Sequence, residues 1–236
     1  MKTIGIMGGM GPMATVDLMK KIILATPASK DQDHIPMLVD NNSQVPDRTK
    51  AIMGQGASPV PEMVKSAKRL MMAGADFIII ACNTAHYFLP EILPQINIPV
   101  LSIIDVTANS AMAQGFKSVG LLATSGTVST GLYQKKLEMA GITCITPAPE
   151  KQHLIDDMIY QGVKANNEAY DTSAAKALLE EMQSAGAEAF ILGCTEVPVA
   201  VAMYKLQGRF IDSTDELAKA AIKFAKEEVT NDTLIA

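Results

Sequence analysis

The second half of this chain repeats the first, and no other feature restricts the fold as strongly. Ile4-Gly5-Ile6-Met7, with Gly11 and Thr15 behind it, aligns with Val119-Gly120-Leu121-Leu122, Gly126 and Thr130 at an offset of 115. Ala73-Gly74-Ala75-Asp76 aligns with Ala185-Gly186-Ala187-Glu188 at an offset of 112, and that offset also carries Cys82 onto Cys194. Leu101 to Ala108 aligns with Ile211 to Ala218 at an offset of 110, through Asp105 and Asp215. The drift of three and then two residues is what small length changes inside one repeating unit produce. Apolar segments match easily by chance, but three blocks in one order do not. The 236 residues are therefore expected to form two similar halves.

Each half alternates short apolar runs with amphipathic stretches. Thr3–Met7, Met37–Asn41, Asp76–Ala81 and Val100–Ile103 are expected buried strands, as are Lys117–Leu122, Ile142–Thr146, Glu188–Leu192 and Arg209–Asp212. Met13–Leu24, Pro61–Met72, Leu132–Met139 and Ala174–Ala185 have helical spacing. Strand–helix alternation implies α/β lobes, each a parallel sheet of about four strands wrapped by helices. The boundary is expected near Ile103–Asp105, with the last helix returning to the first lobe: 1–103 plus 213–236 against 104–212. Ligands of open α/β sheets lie at the carboxyl ends of the strands, so a small molecule in the cleft between lobes is the expected ligand.

Several classes of function are disfavoured. A net charge of −5 lacks the basic stripe that nucleic acid requires. With 48% apolar and 19% charged residues the chain has ample core material. Apolar runs such as Phe77 to Cys82 fall far short of the roughly 20 residues of a membrane span. Met1-Lys2 leads straight into the first strand without the apolar stretch of a secretory signal, so a cytoplasmic protein is expected. Three widely spaced cysteines (Cys82, Cys144, Cys194) without a CxxC pair suit reduced thiols rather than a disulfide framework or zinc knuckle. Three scattered histidines make no metal site.

Cys82 and Cys194 carry the chemistry. Each ends an apolar strand and precedes small polar residues suited to starting a helix, where the helix dipole lowers a thiol's pKa. A lone cysteine is commonly a small buried hydrophobe. Two at equivalent places in two halves meet at one cleft from opposite sides. Opposed thiols that form no disulfide suit inversion at a carbon acid, one removing a proton and the other delivering one to the opposite face. Dithiol redox chemistry is the competing use, but favours closer spacing. Cys144 has no counterpart.

Around the cysteines, the loop Gly8-Gly9-Met10-Gly11-Pro12 opens a helix. It fits the relaxed GxGxxA pattern of a dinucleotide site, with Asp40 as the ribose acid, but Asp40 lies 31 residues past Gly9 instead of about 20. Its generic use is to offer backbone N–H groups to an anion such as a carboxylate. Arg48, in the polar loop Asn41–Thr49, reads either as a solvated side chain or as a carboxylate grip. Lys164 is anonymous by itself. His86, four residues past Cys82, suits either orienting a thiolate or packing.

Taken together, Gly8-Gly9-Met10-Gly11-Pro12, Pro46-Asp47-Arg48-Thr49, Ala81-Cys82-Asn83-Thr84-Ala85-His86 and Gly193-Cys194-Thr195-Glu196 resemble the aspartate/glutamate racemase family, nearest to its aspartate racemases. The likeness runs from Met1 to about Lys226. It implies a cofactor-independent amino-acid racemase of two pseudosymmetric lobes, usually dimeric, acting on a small dicarboxylic amino acid. By that resemblance Cys82 and Cys194 are the catalytic acid–base pair. Asn83, Thr84 and Ala85 hold the substrate's α-carboxylate or ammonium, Met10, Thr127 and Thr195 line the pocket, and Arg48 and Lys164 bind carboxylates. Glutamate racemases carry Asp-Ser in the first glycine loop, and a His where this chain has Glu196. Glu196 is expected to contact the substrate ammonium or to tune Cys194. Glutamate or a broader amino-acid range, a nucleotide-binding protein, and a silent binding protein with the same cleft are the alternatives.

Overall fold

A computed structural model describes residues 1–226; the part of the second segment of the first lobe expected at 227–236 lies outside them. The fold is α/β, with two four-stranded parallel sheets flanked by helices. The first sheet contains β1 (Ile4–Gly8), β2 (Met37–Asn41), β3 (Phe77–Ile80) and β4 (Val100–Leu101), in the order β2-β1-β3-β4. The second contains β5 (Ser118–Leu122), β6 (Thr143–Ile145), β7 (Ala189–Leu192) and β8 (Phe210–Asp212), in the equivalent order β6-β5-β7-β8. All eight expected strands are present: Met37–Asn41 with the expected bounds, the first shifted by one residue to Ile4–Gly8, and the other six shortened at their ends.

The strand register carries the sequence offsets. Ile4 pairs with Phe77 as Val119 pairs with Ala189, and Ile78 pairs with Val100 as Phe190 pairs with Phe210. The central strands β1, β3 and β7 are buried on both faces, which is why they read as unbroken apolar runs. By contrast β2 and β6, expected to be buried, lie at sheet edges with half-buried and exposed residues.

The two outer faces have separate cores. Val60–Met72 covers the first sheet through Met63, Val64, Ala67 and Leu70, and Ser173–Ser184 covers the second through Leu178, Leu179 and Met182. The inner faces share one core, to which Ile6, Leu18, Ile79, Leu121, Tyr133, Ile191 and Leu217 all belong. It is filled by four helices, Pro12–Ala25, Ser213–Ala225, Ile103–Ala113 and Leu132–Met139, packed in that sequence as neighbours. The last helix of the second half thus lies on the first helix of the first half. Phe224 meets Phe77 edge-on at 4.8 Å, and the Ala225 carbonyl accepts from the Lys2 N–H at 2.8 Å.

In each sheet the strand order reverses between the first and third strands, so the crevice beyond their carboxyl ends is where a ligand fits. In the first half that crevice holds the Gly9-Met10-Gly11 turn and Cys82. In the second it holds Thr124 and Cys194. The shared core turns the two crevices toward each other.

Candidate active site

The turn after β1 is dictated by backbone. Gly9 has φ +87°, and a Cβ there would lie 2.2 Å from the Asn42 carbonyl carbon, so a side chain is excluded on both counts. Gly11 then caps Pro12–Ala25 without a side-chain acceptor, and Pro12 opens the helix. The expected anion at this helix start is the protein's own. Glu196 Oε1, 185 residues away, accepts the Gly11 N–H at 2.9 Å. Asp40 is no ribose acid here, because its carboxylate accepts from Arg69 and Ser66.

Cys82 and Cys194 follow β3 and β7, and both are free, buried thiols 6% exposed. They bound one small chamber of about 10 Å³, roughly room for one water, together with Arg48, Thr84, Lys164 and Glu196. Met10, Arg48, Lys164 and Glu196 also border a vestibule of about 710 Å³, whose remaining wall includes Pro12, Met13, Val163, Val199 and Met203. A narrow thiol chamber thus lies beneath a wide, largely apolar entrance.

The charges around the thiols are built in. Arg48 begins the short helix Arg48–Ile52, capped by Asp47, whose Oδ1 accepts the Lys50 N–H at 2.8 Å. Its guanidinium, on a residue 8% exposed, donates to the carbonyls of Val45, Pro46 and Met10 at 3.2, 3.0 and 3.0 Å. Its Nε is buried with no hydrogen-bond partner among the described residues. Burial opposes its charge, but Cys82, then Asp47 and Glu196, outweigh that and hold its pKa above the ordinary value. Lys164 follows a π-helical turn, Met158–Val163, and lies 4.7 Å over the Tyr160 ring and 3.8 Å from Glu196 Oε1. Burial opposes its charge too, and Glu196, Cys194 and Tyr160 raise its pKa on balance. Burial pushes the Tyr160 phenol up to about 12.

Cys194 departs from expectation. Sγ donates to Glu196 Oε2 at 3.0 Å, and the same oxygen accepts from Thr195 Oγ1 at 3.3 Å. Burial first, and then the neighbouring carboxylate, raise the Cys194 thiol well above its ordinary value despite Lys164. Desolvation with a negative neighbour overrides the helix start that was expected to lower it. Burial likewise lifts the unpartnered Cys144 to about 11.

Of the residues singled out from sequence, Met10, Arg48, Cys82, Thr84, Lys164, Cys194 and Glu196 border the chamber. Asn83, Ala85, Thr127 and Thr195 are buried but do not border the chamber or the vestibule. The Asn83 amide spans the halves, accepting from Tyr133 Oη at 2.6 Å and donating to Ser213 Oγ at 3.3 Å. Ala85 packs in the outer core of the first half. Thr127 Oγ1 lies 2.8 Å from Thr84 Oγ1, behind the wall, and the single Thr195 hydroxyl proton is shared between Glu196 Oε2 and the Ala81 carbonyl, each at 3.3 Å. His86 lies in a 3₁₀ turn, Thr84–Phe88. Its Nε2 accepts the Ile103 N–H at 3.2 Å, so Nδ1 carries the proton that binds the Cys82 carbonyl at 2.9 Å. Burial holds this imidazole's pKa down at about 4. His86 is a neutral strut for the backbone of Cys82.

Sequence reasoning missed Asp47, Thr49, Thr124 and Tyr160 as chamber walls. The first two flank Arg48 within a motif already singled out, and Tyr160 stands four residues before Lys164. Thr124 answers to Gly9 at the 115 offset, an alignment of unlike residues that carries no signal.

Two similar α/β lobes thus each bring one free thiol to a single small chamber, with Arg48 and Lys164 beside it. Comparison with known proteins agrees. The sequence pattern of the family described as Asp/Glu/Hydantoin racemase matches residues 7–221. The structure of the Picrophilus torridus aspartate racemase is similar with a TM-score of 0.82 and 37% identity, over 96% of this chain and 95% of that one. An aspartate racemase homologue from Pyrococcus horikoshii superposes with a TM-score of 0.74 and 26% identity, over 96% and 100%. The broad specificity amino-acid racemase RacX of Bacillus subtilis is 28% identical over 93% of this chain and 96% of its own length. The chain belongs to the Asp/Glu/hydantoin racemase family and is, by that membership, an isomerase.

Proposed function

We propose that the protein racemises aspartate by a two-base mechanism through Cys82 and Cys194, without pyridoxal phosphate or metal. The observation that carries this reading is the single chamber bordered by one thiol from each half, with Arg48 and Lys164 beside it. One thiolate takes the Cα proton and becomes a thiol, leaving an enolate-like carbanion. The opposite thiol gives its proton to the other face of Cα and becomes a thiolate. The products are the mirror-image amino acid and the mirror-image protonation state of the protein, so either direction uses the same groups. A carboxylate anion disfavours a carbanion beside it, and Arg48 and Lys164 supply the opposing charge where negative charge develops.

The chamber admits about one water, so a substrate carbon reaches the thiols only when the walls contributed by the two halves separate. Residues 1–103 plus 213–236 and 104–212 are the lobes of this reading. It further takes the protein to be a cytoplasmic homodimer, which light scattering on the purified protein tests.

The decisive experiment is NMR of L-aspartate with the purified protein in D₂O, under reducing conditions and without added cofactor. Loss of the Cα–H signal with growing D-aspartate is the expected result; no exchange at any amino acid overturns it. A broader amino-acid range is the second reading, favoured by the apolar vestibule walls Met13, Val163, Val199 and Met203. Exchange at apolar or longer side chains at rates matching aspartate would select it.

A further inference from the structure

The repeat is broken beside the second thiol. The 112-residue offset that carries Cys82 onto Cys194 carries Thr84 onto Glu196. Thr84 is an uncharged hydroxyl, occupied with Thr124 and Thr127 at 3.1 and 2.8 Å. Glu196 is a carboxylate 3% exposed that receives the Cys194 thiol. Its second oxygen is held by the half-buried Gly11 N–H, so swinging away would forfeit a second hydrogen bond.

We propose that Glu196 is a positioning residue that keeps the proton on Cys194, so that the resting protein is asymmetric and Cys194 waits as the acid while Cys82 waits as the base. The proposal rests on the racemase reading for its place in a catalytic cycle, though not for the proton itself. When Cys82 takes the substrate proton and Cys194 gives its own, a thiolate is left beside the Glu196 carboxylate. Two anions at hydrogen-bond distance repel, which favours reloading: Cys194 gains a proton from solvent through the vestibule and Cys82 releases one, with no net change. Starting from the other enantiomer, the protein must first adopt the disfavoured arrangement.

The groups facing Cys194 are Glu196 and Lys164 at the chamber wall, with Tyr160 beside them and Tyr133 behind; Arg48, Asp47 and Cys82 close the opposite side. Lys164 and Arg48 favour the thiolate, while Glu196 and burial oppose it. The raised pKa of Cys194 agrees with the geometry.

The test is a pH titration of protein labelled with ¹³Cβ-cysteine. Three cysteines give three signals, assigned with Cys82→Ala and Cys144→Ala. Glu196→Gln removes the charge but keeps an acceptor for Gly11. It is expected to lower the Cys194 midpoint by about one pH unit or more, while Lys164→Met raises it. Glu196→Asp, which withdraws the carboxylate by one methylene, should fall between wild type and Gln, and answers the question if the Gln variant does not fold. An unmoved Cys194 midpoint in the folded Glu196 variant overturns the proposal.

Kinetics supply a second readout. The equilibrium constant between enantiomers is one, so kcat/KM stays equal for the two in every variant. The ratio of their separate kcat values should approach one in Glu196→Gln; an unchanged ratio away from one overturns the asymmetric resting state. A Cys194 midpoint that shifts as expected, without exchange at any amino acid, would sink the racemase reading alone. Exchange with an unmoved midpoint would sink this inference alone.

Discussion

The ends of β3 and β7 occupy equivalent positions in equivalent sheets, yet the two thiols live in different electrostatic surroundings. Cys82 has Arg48 as its charged neighbour and His86 as a strut on its carbonyl. Cys194 has Glu196 on its sulfur, and the counterpart of His86 at the 112 offset is Pro198. Duplication supplies the symmetric scaffold that inversion needs. Divergence at the two neighbouring positions, Thr84 against Glu196 and His86 against Pro198, then gives the two thiols different surroundings. Backbone symmetry is kept by the shared core, whereas the side chains at the cleft differ: Glu196 contacts Cys194 and Lys164 in its own half and Gly11 in the other.

Removing either thiol should have the largest effect. Cys82→Ala and Cys194→Ala are each expected to lose racemisation by about 10³-fold or more, the scale of a positioned acid or base. Each should still exchange solvent deuterium into one enantiomer, and the two variants into opposite ones. Exchange into the same enantiomer by both would break the comparison between the halves.

Arg48→Ala comes next. A KM rise of about 10- to 100-fold is expected, with a lowered Tm because three carbonyls lose their donor. Arg48→Lys should not restore KM, since a single ammonium cannot serve three diverging acceptors. A fall in kcat beyond the KM rise is expected to the extent that Arg48 also offsets the charge developing at Cα, and an unchanged kcat would confine it to binding.

The His86 strut separates the halves by their acid response. Its folded pKa of about 4 lies below the unfolded value near 6.5, so the native state binds fewer protons and stability falls as pH drops from about 6.5 toward 4. The loss is about 3 kcal/mol below that window. Denaturant titrations at pH 7 and pH 4.5 should show it, and His86→Gln should flatten the slope. An equal slope in the variant would remove His86 from the account.

The smallest effect concerns the helices that close each half. Ser102 and Asp212, related by the 110 offset, cap Ile103–Ala113 and Ser213–Ala225. Asp212 also pairs with Lys21 at 2.6 Å. Asp212→Ala and Ser102→Ala should each cost about 1 kcal/mol, read as a shift in denaturant midpoint. The Asp212 change should be the larger by a few tenths, and the difference should vanish in high salt.

Much of this was legible beforehand for a definite reason. Buried parallel strands leave continuous apolar runs, and the repeat tied three of the four strands in one half to partners in the other. Pairing Cys82 with Cys194 needed only the 112 offset. Side-chain direction was not legible. Asn83 sits next to Cys82 in sequence, but its amide turns away to Tyr133 and Ser213. Tyr160 reaches the chamber because a π-helical turn re-aims the segment before Lys164, and no composition signal marks that turn.

From its residues alone, this protein was bound to be a duplicated α/β chain with a thiol at the end of the third strand of each half. Hydrophobic periodicity and offset are local properties, readable without coordinates. The sequence placed Glu196 beside Cys194, and tertiary structure decided how its carboxylate is held and that burial raises the thiol. The contacts that matter join Gly11 to Glu196 and Arg48 to Met10, across 185 and 38 residues. The charge state of a buried group follows from what surrounds it in space, and sequence order does not carry that.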